Sequence, residues 1–268
     1  MTDHVADAWE IAAAYERYIG RWSRPVASKF LQWLPPAGAG AAWCDVGCGT
    51  GALAHAVLVA EEPARVVGVE PSEGFAAAAR TTVDDPRFEV RPGTAAAIPA
   101  VDGEFDRVVS GLVLNFLPDP LEGLVEMRRV TRAGGTIGGY VWDYAEGMEM
   151  IRAFWDAAVE LDEAARDRDE GVRFPLCRPD PLHDLLASAG LTGVRIQPLE
   201  VPTVFADFDD FWAPFLGGQG PAPGYCMSLP ARRRAELRTV LDARLRRDRA
   251  GRIALTARAW AFHGSVPD

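Results

Sequence analysis

The chain has 268 residues, a formal net charge of −10, 49% hydrophobic residues and 25% charged ones. That composition is ordinary for a folded globular chain, and the length allows a sizeable core without disulfide staples. The acidic balance argues against a nucleic-acid backbone as partner, because phosphate binding needs a basic face.

The opening MTDHVADAWE has neither the basic start nor the apolar stretch of a secretory signal. The alanine-rich runs are too short and too often interrupted to span a bilayer. Cys44, Cys48, Cys177 and Cys226 form no CxxC pair and have no nearby histidine pattern, so they read as reduced cytosolic thiols and no metal is expected. A helical arm is predicted over 6–34, ended by Pro35-Pro36 and a Gly/Ala linker. Apolar strand-like runs follow at 41–46, 65–70, 87–91, 105–111 and 135–142, with helical patterns between them. Over 120–130, Leu121, Leu124, Val125 and Val130 fall at roughly helical spacing, and Pro120 suits a first turn. Further strands are predicted at 193–200 and 252–263. The alternation points to an α/β fold with a mostly parallel sheet.

Two segments exceed a minimal sheet-and-helix core. One is 144–180, helical around 148–168. The other is 201–230, which sets Phe205, Phe208, Phe211, Trp212, Phe215 and Tyr225 on a Gly/Pro-rich frame. Those rings either pack the insertion down or line a pocket beneath a lid. The arginines at 232–234, 244, 246, 247 and 249 are interleaved with acids and read as the solvated face of a helix.

The strongest chemical signal is CDVGCGTGALA, Cys44 to Ala54. It puts Gly47, Gly49 and Gly51 between an apolar strand and the start of a helix. Glycines there let the backbone turn sharply and approach a ligand, and the helix start offers unpaired N–H groups. Glu70 ends the next strand, where an acid can hold a pair of ribose hydroxyls. Together they specify an adenosine-type ligand at the sheet's switch point. The spacing Gly47-x-Gly49-x-x-Ala52 also satisfies a relaxed dinucleotide fingerprint, so an NAD(P)-dependent oxidoreductase stays open. Asp45 counts against it, because it would repel a pyrophosphate. A cofactor-binding protein without catalysis is a third reading.

The ordered run DVGCGTG, VVGVEPS, GTAAAIP, FDRVVSGLVLNFLPDP and LVEMRRVTRAGG, within about residues 10–142, resembles the class I S-adenosylmethionine-dependent methyltransferases. It is most similar to the ubiquinone/menaquinone-biosynthesis C-methyltransferase branch, the methyltransferase type 11 domain. The resemblance implies a Rossmann-like three-layer sandwich: a seven-stranded, mostly parallel sheet, an N-terminal helical arm and a helical/loop cap after strand five. One domain over 1–268 would then divide into a lid arm (1–36), a cofactor-binding core (37–142), a substrate cap with strand six (143–230), and a terminal helix with the last strand (231–268).

The resemblance also implies roles. S-adenosylmethionine is the implied cofactor and a small molecule the implied partner. Asp45 would pair with the methionine ammonium. Gly47, Cys48, Gly49 and Gly51 would pass along the methionine and ribose. Glu70 would take the ribose hydroxyls, with Pro71 and Ser72 beside the adenine. Gly93, Thr94 and Ala95 would edge the ring; family members usually carry an aspartate where Thr94 stands, and a neutral acceptor is weaker. Ser110, Gly111 and Leu112 would touch the methionine portion. The arm Tyr15 to Ser23 resembles the family's N-terminal lid, with Tyr15 and Trp22 as rings and Arg21 as a fork for the methionine carboxylate. The arm and the segment 205–225 are expected to close over the cofactor from opposite sides, around an apolar or aromatic acceptor.

A sulfonium is already an activated electrophile, so alignment and exclusion of water dominate, and a base is needed only if the nucleophile loses a proton. Asn115, Asp143 and Tyr144 end strands four and five, at the edge that faces such a crevice. Many relatives have histidine where Asn115 stands; asparagine can orient a substrate but is no base. Asp143 is the best carboxylate by position. Of His4, His55, His183 and His263, His183 follows the variable insertion and is the remaining candidate.

Overall fold

A computed structural model of the chain describes residues 16–218 and 220–268, apart from the side chains of residues 16 and 17. A single wide helical turn, Glu16–Gly20, leads into α1 (Arg21–Trp33). Then come β1 (Ala42–Val46), α2 (Ala52–Ala60), β2 (Arg65–Glu70), α3 (Glu73–Thr82), β3 (Phe88–Pro92) and β4 (Phe105–Gly111). A short turn, Leu114–Phe116, precedes α4 (Pro120–Val130) and β5 (Thr131–Trp142). The remainder comprises α5 (Glu149–Leu161), α6 (Glu170–Arg173), α7 (Pro179–Ser188), β6 (Thr192–Phe205), α8 (Phe208–Trp212), α9 (Pro221–Ser228), α10 (Ala231–Arg244) and β7 (Ile253–Ser265).

The strands form a seven-stranded sheet in the order β3-β2-β1-β4-β5-β7-β6. β1 pairs in parallel with β2 and β4, as do β2 with β3 and β4 with β5, whereas β7 runs antiparallel to β5. The central strands are buried almost throughout because a parallel sheet is covered on both faces, which is why WCDV and VVGVE read as unbroken apolar runs. Local chemistry starts the helices. Asp119 accepts the N–H groups of Leu121 and Glu122 ahead of Pro120, and Ser72 caps α3 by accepting Phe75 N–H at 3.5 Å.

β5 and β6 outrun their expected limits furthest. β5 starts at Thr131 instead of 135, because Thr131 pairs with Phe105 before a register shift. β6 continues past 200 to Phe205, through Pro202. Its burial alternates from Leu199 to Phe205, and β6 lies at the sheet edge, where a proline removes no needed ladder bond.

The chain packs as two compact units. One contains Ser23–Trp142, Leu176–Glu200 and Arg258–Asp268. In it Phe30 of α1 lies on the sheet face at Tyr140, with ring centroids 5.2 Å apart. The other contains the described residues up to Trp22, with Asp143–Pro175 and Val201–Ala257. The two segments that exceed a minimal core fall almost wholly within this second unit. There, α9 and α10 pack against α5.

Candidate cofactor site and active site

The glycine turn after β1 belongs to the first unit, and its three glycines differ. All have positive φ: 72° at Gly47, 54° at Gly49 and 87° at Gly51. A β-carbon at Gly47 would lie 2.5 Å from Val113 Cγ2, and one at Gly51 would lie 2.6 Å from Val83 Cγ2. At Gly49 it would meet nothing within 4 Å. Packing therefore demands glycine at Gly47 and Gly51, while Gly49 is a bare stretch of backbone facing open space. Cys48 turns inward, where its Sγ would sit 2.7 Å from a β-carbon on Gly68. Burial, with Asp45 and Glu70 nearby, holds its thiol well above the usual range, so it is inert.

Asp45 is buried at 1% exposure. Its Oδ2 accepts the Ala54 N–H at 3.0 Å, at the start of α2, while Oδ1 is buried with no hydrogen-bond partner. Burial pushes its carboxyl from 3.8 up to about 7; the Ala54 N–H opposes this and the charge of Glu70 adds to it. Glu70 is occupied at both oxygens: Oε2 accepts Gly49 N–H and Oε1 accepts Ser72 N–H, each at 3.0 Å. Burial raises its pKa against those two N–H groups. The acid at the end of β2 thus shapes both neighbouring turns, a role that the motif alone did not reveal. Each oxygen keeps a second lone pair for another donor.

The remaining positions spread along the carboxyl ends of the strands. Gly93 is closed in, its β-carbon position lying 2.7 Å from Pro99 Cδ and 3.0 Å from Val69 Cγ1. Thr94 is exposed beside the buried Ala95 and pairs in an isolated bridge with Ala97. Pro71 is exposed next to the helix cap Ser72. Ser110 is structural, donating its hydroxyl to Val46 O at 2.9 Å. A β-carbon at Gly111 would strike Tyr140 Oη at 2.6 Å. Leu112 is the one non-glycine residue with positive φ among the described residues, at 65°, and its N–H donates to Tyr140 O at 2.7 Å. Backbone strain of this kind persists only where surroundings impose it. Nothing in the letters LVLN marks it.

The three catalytic candidates sit in different settings. Both polar atoms of the Asn115 amide are buried without a hydrogen-bond partner. Asp143, in the second unit, is buried, and its Oδ1 accepts Glu146 N–H at 3.1 Å, which shapes the turn after β5. His183 is on the solvent side of α7, its side chain 59% exposed, while Leu182 and Leu186 fill the buried side. Among the described residues no group of three His, Cys, Asp or Glu side chains could hold a metal ion. No helix among them is long and apolar enough to cross a membrane.

Tyr15 lies outside the described residues. Arg21 and Trp22 belong to the second unit. Arg21 Nη1 pairs with Asp210 Oδ1 at 2.9 Å, and its guanidinium stacks over Trp22 and Phe205. Tyr18 meets Phe215 and Trp22 meets Phe205, with centroids 5.9 and 5.4 Å apart. This corrects the expected arrangement of arm and aromatic segment. They do not stand opposite each other but form one cluster, because apolar rings gain most by burying one another. Phe205, Phe211 and Phe215 are fully buried in it, and Phe215 stacks on Phe154 at 4.5 Å.

Comparison with known proteins adds a second line of argument. Residues 44–138 match the family described as Methyltransferase domain. A demethylmenaquinone methyltransferase of Bacillus cereus is 35% identical over 58% of this chain and 71% of its own length. One from Halalkalibacterium halodurans is 28% identical over 58% of this chain and 69% of its own. Across the curated relatives compared, the chain spans from 30% to 71% of their lengths. Among solved structures, phosphoethanolamine N-methyltransferase 2 of Haemonchus contortus, in complex with S-adenosyl-L-methionine, has the same fold. Its TM-score is 0.59 at 16% identity, covering 96% of this chain and 56% of that one.

Proposed function

The chain belongs to the class I S-adenosylmethionine-dependent methyltransferases, and from that premise we propose that it moves the cofactor's methyl group to a small-molecule acceptor. The observation that carries the cofactor assignment is the Asp45 carboxylate, buried beneath the glycine turn with Oδ1 unpartnered. A buried carboxylate in that state calls for a cation, and the methionine ammonium is one. Glu70 keeps lone pairs for ribose hydroxyls, and the bare backbone at Gly49 leaves room for a ligand. A pyrophosphate would meet two acids here, which disfavours a dinucleotide. The residues present therefore fit S-adenosylmethionine.

When bound, the cofactor supplies a sulfonium-activated methyl electrophile. The chain's own task is to bind it, align the nucleophile and keep water out. Asp45 holds the charged end, Glu70 with Gly49 and Ser72 fixes the ribose side, and Gly93, Thr94 and Ala95 border the adenine. Gly111 and Leu112 are held by Tyr140 at the other end of the site. Alignment and desolvation carry the rate, and no base is required unless the acceptor atom is protonated. His183 faces solvent and is poorly placed for that role.

The test is calorimetric titration with S-adenosylhomocysteine beside NADH. Saturable binding of the first and none of the second is expected; the reverse result would sink the assignment. Release of S-adenosylhomocysteine with a panel of small-molecule acceptors then reports turnover.

A further inference from the structure

The turn after β4 holds a feature that cofactor binding does not use. Both Nδ2 and Oδ1 of Asn115 are buried and have no hydrogen-bond partner in the protein. A buried amide with neither end paired by protein is destabilising until a partner from outside the chain completes it. The turn cannot swing to relieve it. Leu112 upstream is fixed in the left-handed region by its bond to Tyr140 O. Val113 lies against Gly47 of the cofactor turn, and Leu114 is 1% exposed. Phe116 N–H donates to Val113 O at 2.8 Å and closes the turn. Asn115 thus stands two residues from Val113, which lies against the glycine turn, with both polar atoms of its amide unpaired.

Resting on the methyltransferase reading, we propose that Asn115 recognises the acceptor, and that the acceptor carries a planar group with a hydrogen-bond donor and an acceptor on neighbouring atoms, as a carboxamide or lactam does. The charged and hydroxyl parts of the cofactor have Asp45 and Glu70 as partners. A neutral side chain offering one N–H face and one carbonyl face is matched by a neutral group with the reversed pair. A lone ketone or ether would satisfy one face and leave the other desolvated, and sites with such unpaired groups reject the wrong ligand strongly. Asn115 is in this view a specificity residue and takes no proton.

The test uses Asn115→Leu and Asn115→Asp beside wild type, with benzamide as the probe and N,N-dimethylbenzamide, which lacks the donor, as its control. Asn115→Leu is expected to raise the Tm and leave S-adenosylhomocysteine affinity within twofold. Benzamide is expected to bind the wild type, by saturation-transfer NMR, at least tenfold more tightly than dimethylbenzamide, and to lose that preference in Asn115→Leu; Asn115→Asp still accepts the N–H but offers no donor to the carbonyl, so it should weaken both probes and keep the preference. A lower Tm in Asn115→Leu together with unchanged benzamide binding in Asn115→Asp would make Asn115 a packing residue. A tenfold loss of S-adenosylhomocysteine affinity in either variant would assign it to the cofactor. Equal binding of the two benzamides to the wild type, or binding of neither, overturns the acceptor class. The benzamide titrations are run with and without S-adenosylhomocysteine. A wild type that selects benzamide yet binds no S-adenosylhomocysteine therefore breaks the cofactor reading alone.

Discussion

The Gly49 N–H donates to Glu70 Oε2 at 3.0 Å, tying the turn after β1 to the last residue of β2. The same carboxylate takes Ser72 N–H through its other oxygen. Glu70→Ala therefore removes two backbone anchors together with the proposed ligand contact. Cofactor binding is expected to weaken by about 1.5–3 kcal/mol, the range for losing bonds to a charged acceptor. Calorimetry with S-adenosylhomocysteine measures this, and thermal unfolding should show a drop in Tm. Wild-type affinity in the variant would reduce Glu70 to a structural acid.

The glycines of the turn are expected to separate by what they lose. Gly49→Ala meets open space, so it costs only the strain of positive φ, about 1–2 kcal/mol. Gly47→Ala also drives a carbon into Val113, which is packed overlap costing about 1–3 kcal/mol more. Urea unfolding should rank Gly47→Ala as the less stable of the two. Titration should show that Gly49→Val, still folded, binds no S-adenosylhomocysteine. A Gly49→Val protein with normal affinity would contradict the proposed path of the cofactor.

Asp45 gives the free protein a pH dependence of defined sign. Its pKa is about 7 when folded against 3.8 otherwise. Between those values the unfolded chain has released the proton while the folded chain keeps it. Stability contributed by the protonated acid is therefore lost as pH rises from about 4 to 7, and the dependence levels off above. Pairing with an ammonium needs the ionised form, so cofactor affinity should rise between about pH 6 and 8. In Asp45→Asn the affinity should be weak and flat across that range, as isothermal titration at several pH values can check.

Glu170 in the second unit is a separate buried acid. It accepts the Trp155 indole N–H beside the Arg152–Asp169 pair, and burial pushes it from 4.5 to about 8. The sign is the same: stability falls as pH rises from about 4.5 to 8. Glu170→Gln keeps an acceptor for Trp155 and cannot ionise. Its Tm should match the wild type near pH 5 and exceed it at pH 8.5. Parallel Tm profiles for the two proteins would show that Glu170 does not titrate in this window.

Phe215 is the hub of the aromatic cluster, touching Tyr18, Phe154, Phe211 and Trp212. Phe215→Ala should destabilise by about 3–5 kcal/mol, the usual cost of deleting a buried ring. Hydrogen exchange should rise together over 16–22 and 205–225. Exchange that rises in one segment alone would separate the arm from the cluster.

The glycine turn, the acid at the end of β2 and the first turn of α4 at Pro120 were legible in the letters because they are local. A tight turn, a strand end and a helix start each depend on residues a few positions apart, and backbone sterics leave few solutions. The family followed from that local order. Only the tertiary structure decided the rest. Pro198 and Pro202 are tolerated in β6 because that strand is an edge, which depends on the order of all seven strands. Arg21 has Asp210 as its partner, 189 positions away. Asn115 differs from any other turn asparagine only because folding buries its amide without a partner. Burial and pairing depend on residues brought together from distant parts of the chain, and no short stretch of sequence contains that information.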